Sequence, residues 1–329
     1  MRSTTIAVAL AGVLALGLTG CGGGSAPATG PTGATPASNI VFIPGVTGDV
    51  FYTSMECGAK EAAAKAGAQL TVQGPAKFDP TLQKPVVDAV VASKPSAIII
   101  APTDAQAMRL PLQQAIDAKI PVVLVDTTLT DTSGTVAQVS SDNVEGGAKA
   151  FEAMQKLTPG GGTVLAIGNA PGVTTTDERL KGFAEAAAED PKFTVLPAEY
   201  NQNDPARTAQ IVSAAKQAHP DLVGVFATTQ PAATGAATGI NQLGAKGTVK
   251  LVAFDASPDL ADSLRDGSIQ ALIAQQPAQM GADAIAIAEA AIDGDPGQGG
   301  AKTTGFTILT QDDVDTDAGR AAVYRTSCG

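Results

Sequence analysis

The sequence predicts an α/β protein of two doubly wound, parallel-sheet lobes. Three observations lead there. From residue 39 onward, short β-branched apolar runs alternate with longer Ala-rich stretches of helical spacing. The runs lack polar alternation, so both faces of each strand must be covered, which is the condition of a parallel sheet flanked by helices. The body of about 290 residues also exceeds what one hydrophobic core comfortably holds.

The first series of runs is IVFI (40–43), QLTVQ (69–73), AIIIA (97–101), PVVLVD (121–126) and TVAQV (135–139). The second is TVLAI (163–167), FTVLP (193–197), LVGVFA (222–227), VKLVAF (249–254) and IQALIA (269–274). Five strands per lobe follow. Segments such as SMECGAKEAAAKAG and RTAQIVSAAKQA supply the helices between them. Pro85 and Pro111 fall inside expected helices and are read as marking first turns. Asp104 is read as the N-cap of the helix after APT, and Asp142, with Glu145 three residues on, as the cap of a helix opening at Asn143.

Residues 1–20 carry one positive charge and then an apolar run of about 13 residues, the order of a secretory signal and too short to span a bilayer with margin. Its ending, Leu18-Thr19-Gly20-Cys21, resembles a bacterial lipobox, which implies lipidation of Cys21 and anchoring to the outer face of the cell membrane. Residues 21–38, rich in Gly, Pro, Ala, Ser and Thr, bury too little apolar surface to fold and are expected to be a flexible tether. A net charge of −11 and the lack of a basic run argue against nucleic acid or an anionic membrane surface as partner. Setting Cys21 aside leaves Cys57 and Cys328, either a disulfide or two separate thiols.

Open parallel sheets bind ligands at the carboxyl ends of their strands. That rule selects 44–52, 102–104, 126–127, 168–177, 200–204, 228–230, 255–258 and 275–276, which are rich in Asp, Thr, Asn, Gln, Phe and Tyr. Several of these segments, in order, resemble the periplasmic sugar-binding proteins of bacterial ABC importers, near the ribose binders: APTDAQA, IPVVLVD, SSDNVEGG, ERLKGF, HPDLVGVFA, VAFDASPD and ALIAQQPAQMG. The resemblance spans residues 40 to about 310. It implies the periplasmic binding protein type I fold: two lobes joined by a three-strand hinge, closing on ligand in the cleft. The first lobe would comprise 39–141 and 275–304, the second 142–274 and 305–329. Crossings would fall near Ser141–Asp142, Ala274–Gln275 and Thr304–Phe306.

Carried over residue by residue, the resemblance implies that Phe51 and Tyr52 sandwich the ligand and that Asp49 stands near a family asparagine. Asp126, Tyr200, Asp255 and Gln275 match binding positions of the family. Thr229 and Gln230 fall where the family has asparagine and aspartate. Two departures stand out: Thr127 occupies the place of one ligand-binding arginine and Asp177 that of another. The acids would then lack cationic partners, since Arg179 is two residues along the helix and points about 200° away from Asp177. Asp177 has a second reading as part of a capping box over Thr175-Thr176-Asp177-Glu178.

The expected function is a lipid-anchored solute-binding protein, acting as a monomer, that captures a small sugar or polyol by hinge closure and delivers it to an ABC permease. The alternatives are a sensory protein presenting ligand to a membrane receptor, or a binder of an amine-bearing solute. No enzyme activity is expected, because no nucleophile elbow surrounds a serine. TPGGGT (158–163) precedes a strand instead of opening a helix, so it does not cradle a phosphate. The single histidine, His219, and the cysteine pattern give no metal site, and no cofactor is expected.

Overall fold

The computed structural model describes residues 37–295 and 300–329. The expected leader (1–20), Cys21 and the tether up to residue 36 lie outside them.

Strands β1 (Asn39–Ile43), β2 (Gln69–Val72), β3 (Ala97–Ile100), β4 (Val122–Val125) and β5 (Ala137–Ser141) form a parallel sheet. Strands β6 (Gly162–Gly168), β7 (Phe193–Val195), β8 (Glu199–Tyr200), β9 (Leu222–Ala227), β10 (Lys250–Phe254) and β11 (Ala271–Ala274) form a second. Two late strands complete them: β12 (Ala301–Thr304) adds in parallel to β5, and β13 (Thr307–Leu309) adds antiparallel to β11. The orders are β12-β5-β4-β3-β1-β2 and β13-β11-β10-β9-β6-β7, with β8 beside β6. Each lobe is therefore doubly wound with its switch point beside its first strand. The five strands expected per lobe become six and seven, because Ala301–Thr304 is too polar, and β8 and β13 too short, to register as apolar runs.

Ten helices cover the sheets among the described residues: α1 (Val50–Ala66), α2 (Pro80–Ser93), α3 (Arg109–Asp117), α4 (Asn143–Leu157), α5 (Thr174–Ala188), α6 (Pro205–Ala218), α7 (Gln230–Gln242), α8 (Pro258–Arg265), α9 (Pro277–Ile292) and α10 (Asp317–Ala322). None is long and apolar enough to cross a membrane. Asp142 caps α4 by accepting the Glu145 N–H. Pro85 lies inside α2 and does not mark its first turn, because Asp79 caps that helix and Pro80 takes its first position. Asp104 accepts the Gln106 and Ala107 N–H groups and so caps a turn ahead of α3, which starts at Arg109.

The chain passes from the first sheet to the second after β5, returns after β11, and crosses again between β12 and β13. Helix α4 thus follows a first-lobe strand yet packs in the second lobe against α5, while α9 follows a second-lobe strand and packs in the first against α1. Both pairs approach through glycine. A Cβ on Gly58 of α1 would meet the Ala278 carbonyl oxygen of α9 at 1.9 Å, and one on Gly182 of α5 would meet that of Val144 in α4 at 1.9 Å.

Residues 305–329 do not belong wholly to the second lobe. After α10 the Tyr324 N–H donates to the Ala256 carbonyl, but the Arg325 N–H donates to Ser54 Oγ on α1. Cys328 is then disulfide-bonded to Cys57 of the same helix.

Gly58→Ala or Gly182→Ala must push a helix pair apart. Each is expected to lower the free energy of urea unfolding by roughly 1–3 kcal/mol, whereas Gly160→Ala, which meets open space, should leave the midpoint unchanged.

Candidate ligand-binding site

One cleft collects residues that follow the carboxyl ends of β1, β4, β6, β9, β10 and β11.

Its walls begin with a helix cap. Asp49 precedes α1, and its carboxylate accepts the N–H groups of Phe51 and Tyr52 at 2.9 and 3.4 Å. The cap starts the helix so that both aromatic side chains leave its first turn into the cleft. They meet edge to face, ring centres 5.2 Å apart. Gly45 makes room for them: a Cβ there would lie 2.5 Å from both the Tyr52 hydroxyl and the Phe78 ring.

Asp126 and Asp255 are the corresponding ends of β4 and β10, and both adopt the left-handed region, at φ 60° and 75°. Aspartate tolerates that conformation better than most residues. Their N–H groups still donate to Val139 and Ile273 carbonyls, at 2.9 and 3.1 Å, so the strand ladder continues while the side chains turn into the cleft. Both are 8% exposed and need partners. The Tyr52 hydroxyl donates to Asp126 Oδ2 at 2.7 Å. Asp255 Oδ1 accepts Gln275 Nε2 at 2.9 Å and the Tyr324 hydroxyl at 3.2 Å, and its Oδ2 accepts the Gln230 N–H at 3.2 Å. That N–H belongs to the first turn of α7, whose N-cap is Thr229, so the helix end itself favours the negative charge. The Gln275 amide oxygen in turn accepts from Ser141 Oγ at 2.9 Å, tying two hinge crossings together.

The cation of the site is Arg179. It is 3% exposed, and its guanidinium donates to Asn143 Oδ1 at 2.9 Å and to the Thr228 carbonyl at 2.8 Å. It stacks 3.9 Å above the Phe254 ring. This corrects the expectation that the acids have no cationic partner. The angle of about 200° between positions 177 and 179 holds, but the face that meets the cleft is the one bearing Thr175, Thr176 and Arg179. The i,i+4 pair Thr175 and Arg179 was the available signal.

Asp177, on the other face, is absent from the lining. Its Oδ2 accepts the Gly172 N–H at 2.8 Å, bracing the loop before α5. The capping box does not form either, because the N-cap is Val173, which has no side-chain acceptor. Thr127 is buried beneath the cleft, donating to the Pro102 carbonyl at 2.7 Å. Tyr200 is also outside the lining: β8 pairs with the end of β6, and the tyrosine ring rests over Gly168. Asp49, Phe51, Tyr52, Asp126, Thr229, Gln230, Asp255 and Gln275 do line the cleft. So do Phe78, Asn169 and Asn203, which were not singled out. Asn169 and Asn203 lay within the selected loops, and Phe78 was visible only as a lone aromatic between Gly74-Pro75 and Asp79-Pro80.

Burial pushes the Asp126 carboxyl up to about 6, against the pull of the Arg179 charge and the Tyr52 hydrogen bond. Burial, then the charge of Asp255, pushes Asp49 up to about 6 as well. Across the cleft mouth the Thr128 N–H donates to Thr174 Oγ1 at 3.1 Å, so the lobes touch. Among the described residues no group of His, Cys, Asp and Glu is placed to hold a metal ion.

The model of the periplasmic binding protein domain matches residues 40–296. The chain belongs to this family of periplasmic binding proteins. Its curated relatives include the ribose import binding protein RbsB of Salmonella typhimurium, 30% identical over 82% of this chain and 89% of the relative. Among solved structures, a solute-binding protein from Agrobacterium vitis bound with α-D-tagatopyranose is 39% identical, with a TM-score of 0.85 over 88% of this chain and 99% of its own. A second protein from Agrobacterium vitis, with bound D-fucose, is 26% identical with a TM-score of 0.82 over 87% of this chain and 100% of its own. The periplasmic binding fold and the resemblance read from the ordered motifs both hold.

Because the folded Asp49 carboxyl titrates above its ordinary value of 3.8, it favours the folded state at low pH, and that contribution is lost as pH rises through about 6. Asp49→Asn keeps the cap and removes the charge. The variant should gain stability over the parent between pH 4 and pH 7, on the order of 2 kcal/mol, read as the difference between two urea titrations.

Proposed function

We propose that this protein captures a small neutral sugar or polyol in the cleft, closes on it, and delivers it to an ABC permease. The carrying observation is the composition of the walls: Asp49, Asp126 and Asp255 around a single guanidinium, with Phe51, Tyr52 and Phe78 beside them. Carboxylates accept from hydroxyls through strong charge-assisted bonds, aromatic faces cover C–H surfaces, and a closed site makes both stronger. Asp255 already accepts three protein donors, which leaves capacity for about one ligand hydroxyl. Arg179 supplies the donor for a ring or hydroxyl oxygen and brings aldose and ketose sugars forward over a bare polyol. Three acids against one cation disfavour a sugar phosphate. An amine-bearing solute is weakened by the same arginine.

Proteins of the periplasmic binding family are exported. We extend this to a lipoprotein attached through Cys21 to the outer face of the cell membrane, working as a monomer and without catalysis. A sensory role, presenting the same ligand to a membrane receptor, would use the same cleft.

Calorimetry of the full chain against D-ribose, D-tagatose, D-fucose and D-arabinose tests the reading. At least one should bind, Asp126→Asn should weaken it by tenfold or more, and affinity should fall as pH drops below about 6, where Asp49 and Asp126 take up protons. Binding of ribose 5-phosphate alone would refute the charge reasoning. Incorporation of labelled palmitate that is lost in Cys21→Ser tests the anchor.

A further inference from the structure

The tail after α10 lines no part of the cleft, yet one of its side chains reaches the centre of the site from behind. Tyr324 is 4% exposed. Its hydroxyl accepts the Gln275 N–H at 3.0 Å and donates to Asp255 Oδ1 at 3.2 Å. Burial, then the charge of Asp255, pushes that hydroxyl well above the usual phenol range, so it remains a proton donor. Its ring packs edge-on against Phe51 at 5.9 Å. A single residue therefore touches the second-lobe acid, the hinge crossing and the first-lobe aromatic.

The tail around it is tied to both lobes. The Tyr324 N–H donates to the Ala256 carbonyl, next to Asp255. One residue later the Arg325 N–H donates to Ser54 Oγ at 2.6 Å, and the Arg325 guanidinium pairs with Glu61 at 2.5 Å. The Cys57–Cys328 disulfide then fastens the end to α1, the helix whose first turn carries Phe51 and Tyr52. The three crossings are passages between sheet strands, whereas this link is fastened by backbone and side-chain hydrogen bonds, an ion pair and a disulfide.

We propose that Tyr324 is a positioning residue for ligand capture, which fixes the Asp255 carboxylate and the Phe51 ring relative to one another, and that the Cys57–Cys328 bridge holds it there. The proposal rests on the sugar-binding reading above. Two of the three protein donors to Asp255 are side chains. Without the phenol, Asp255 Oδ1 keeps only Gln275 and gains freedom to rotate, so a ligand hydroxyl meets a less ordered acceptor. Without the bridge, the tail can withdraw and take the phenol with it. Tyr324 is absent from the cleft lining, so its effect passes through the residues it touches there, and its hydroxyl acts on Asp255 and the Gln275 N–H.

The test is calorimetry of the full chain with D-tagatose, on Tyr324→Phe, on the Cys57→Ser/Cys328→Ser pair, and on each combined with Asp255→Asn. Tyr324→Phe keeps the ring and should weaken binding about tenfold, and the disulfide-free variant should weaken it in the same direction. In the Asp255→Asn background Tyr324→Phe should cost little more, a non-additivity that general loosening of the fold would not produce. Binding within twofold of the parent, or costs that simply add, overturns the proposal. If the parent binds no sugar, the sugar reading fails, and hydrogen exchange at the Gln275 amide decides the tail's role. Faster exchange in both Tyr324→Phe and the disulfide-free variant supports it, and unchanged exchange in either overturns it.

Discussion

A carboxylate taken out of water must be paired, and this requirement at Asp126 and Asp255 organises the structure around the cleft. Each acid ends a buried strand in a left-handed conformation, so each projects into a place where the sheet offers it no partner. The partners come from elsewhere in the chain. Tyr52 arrives from the first helix, Gln275 from the second crossing, Tyr324 from the tail and Gln230 from the start of a helix. Arg179 faces them from α5, held by an asparagine, a carbonyl and a phenylalanine face. The first helix, the second crossing, the tail and the start of α7 are thus tied to the acids, and a ligand enters a polar network already assembled.

The two lobes repeat one plan. With β8 set aside, the order β5-β4-β3-β1-β2 matches β11-β10-β9-β6-β7, the two pocket aspartates occupy equivalent strand ends, and both exchanged helices pack through glycine. The exchange has a mechanical consequence. Helices α4 and α9 each leave a strand of one lobe and pack in the other, so the hinge is continuous with both cores. A few residues between rigid bodies then absorb any opening, and the Ser141–Gln275 hydrogen bond lies among them.

Much of the fold was readable from residues alone. Runs such as AIII and VVLV are buried along their whole length, and their composition shows it. β12 and β13 were not readable, because edge strands need backbone partners more than apolar side chains, and AKTT is mostly exposed. A proline in an expected helix suggests its first turn, but Asp79-Pro80 starts α2 five residues before Pro85. In the site, Asp126, Asp255, Thr229 and Gln275 follow strand ends and line one cleft, since the polypeptide direction of a parallel sheet fixes which loops converge. Asp177 and Arg179 were exchanged. The helical period gives their relative angle but not which face turns to the cleft, and that is set by how α5 packs against α4 through Gly147 and Gly182.

The sequence by itself determined the two-lobed parallel architecture, the loops that meet at the cleft and an acidic, aromatic-walled site for a polar solute, because strand hydrophobicity, helix period and chain direction are local properties. Only the tertiary structure decided that Arg179 is the cation facing the pocket acids, that Tyr200 and Thr127 lie outside the lining, and that Tyr324 reaches Asp255 from the tail. Those are contacts between residues tens to hundreds of positions apart, and no local pattern encodes how packed helices rotate or where a tail returns.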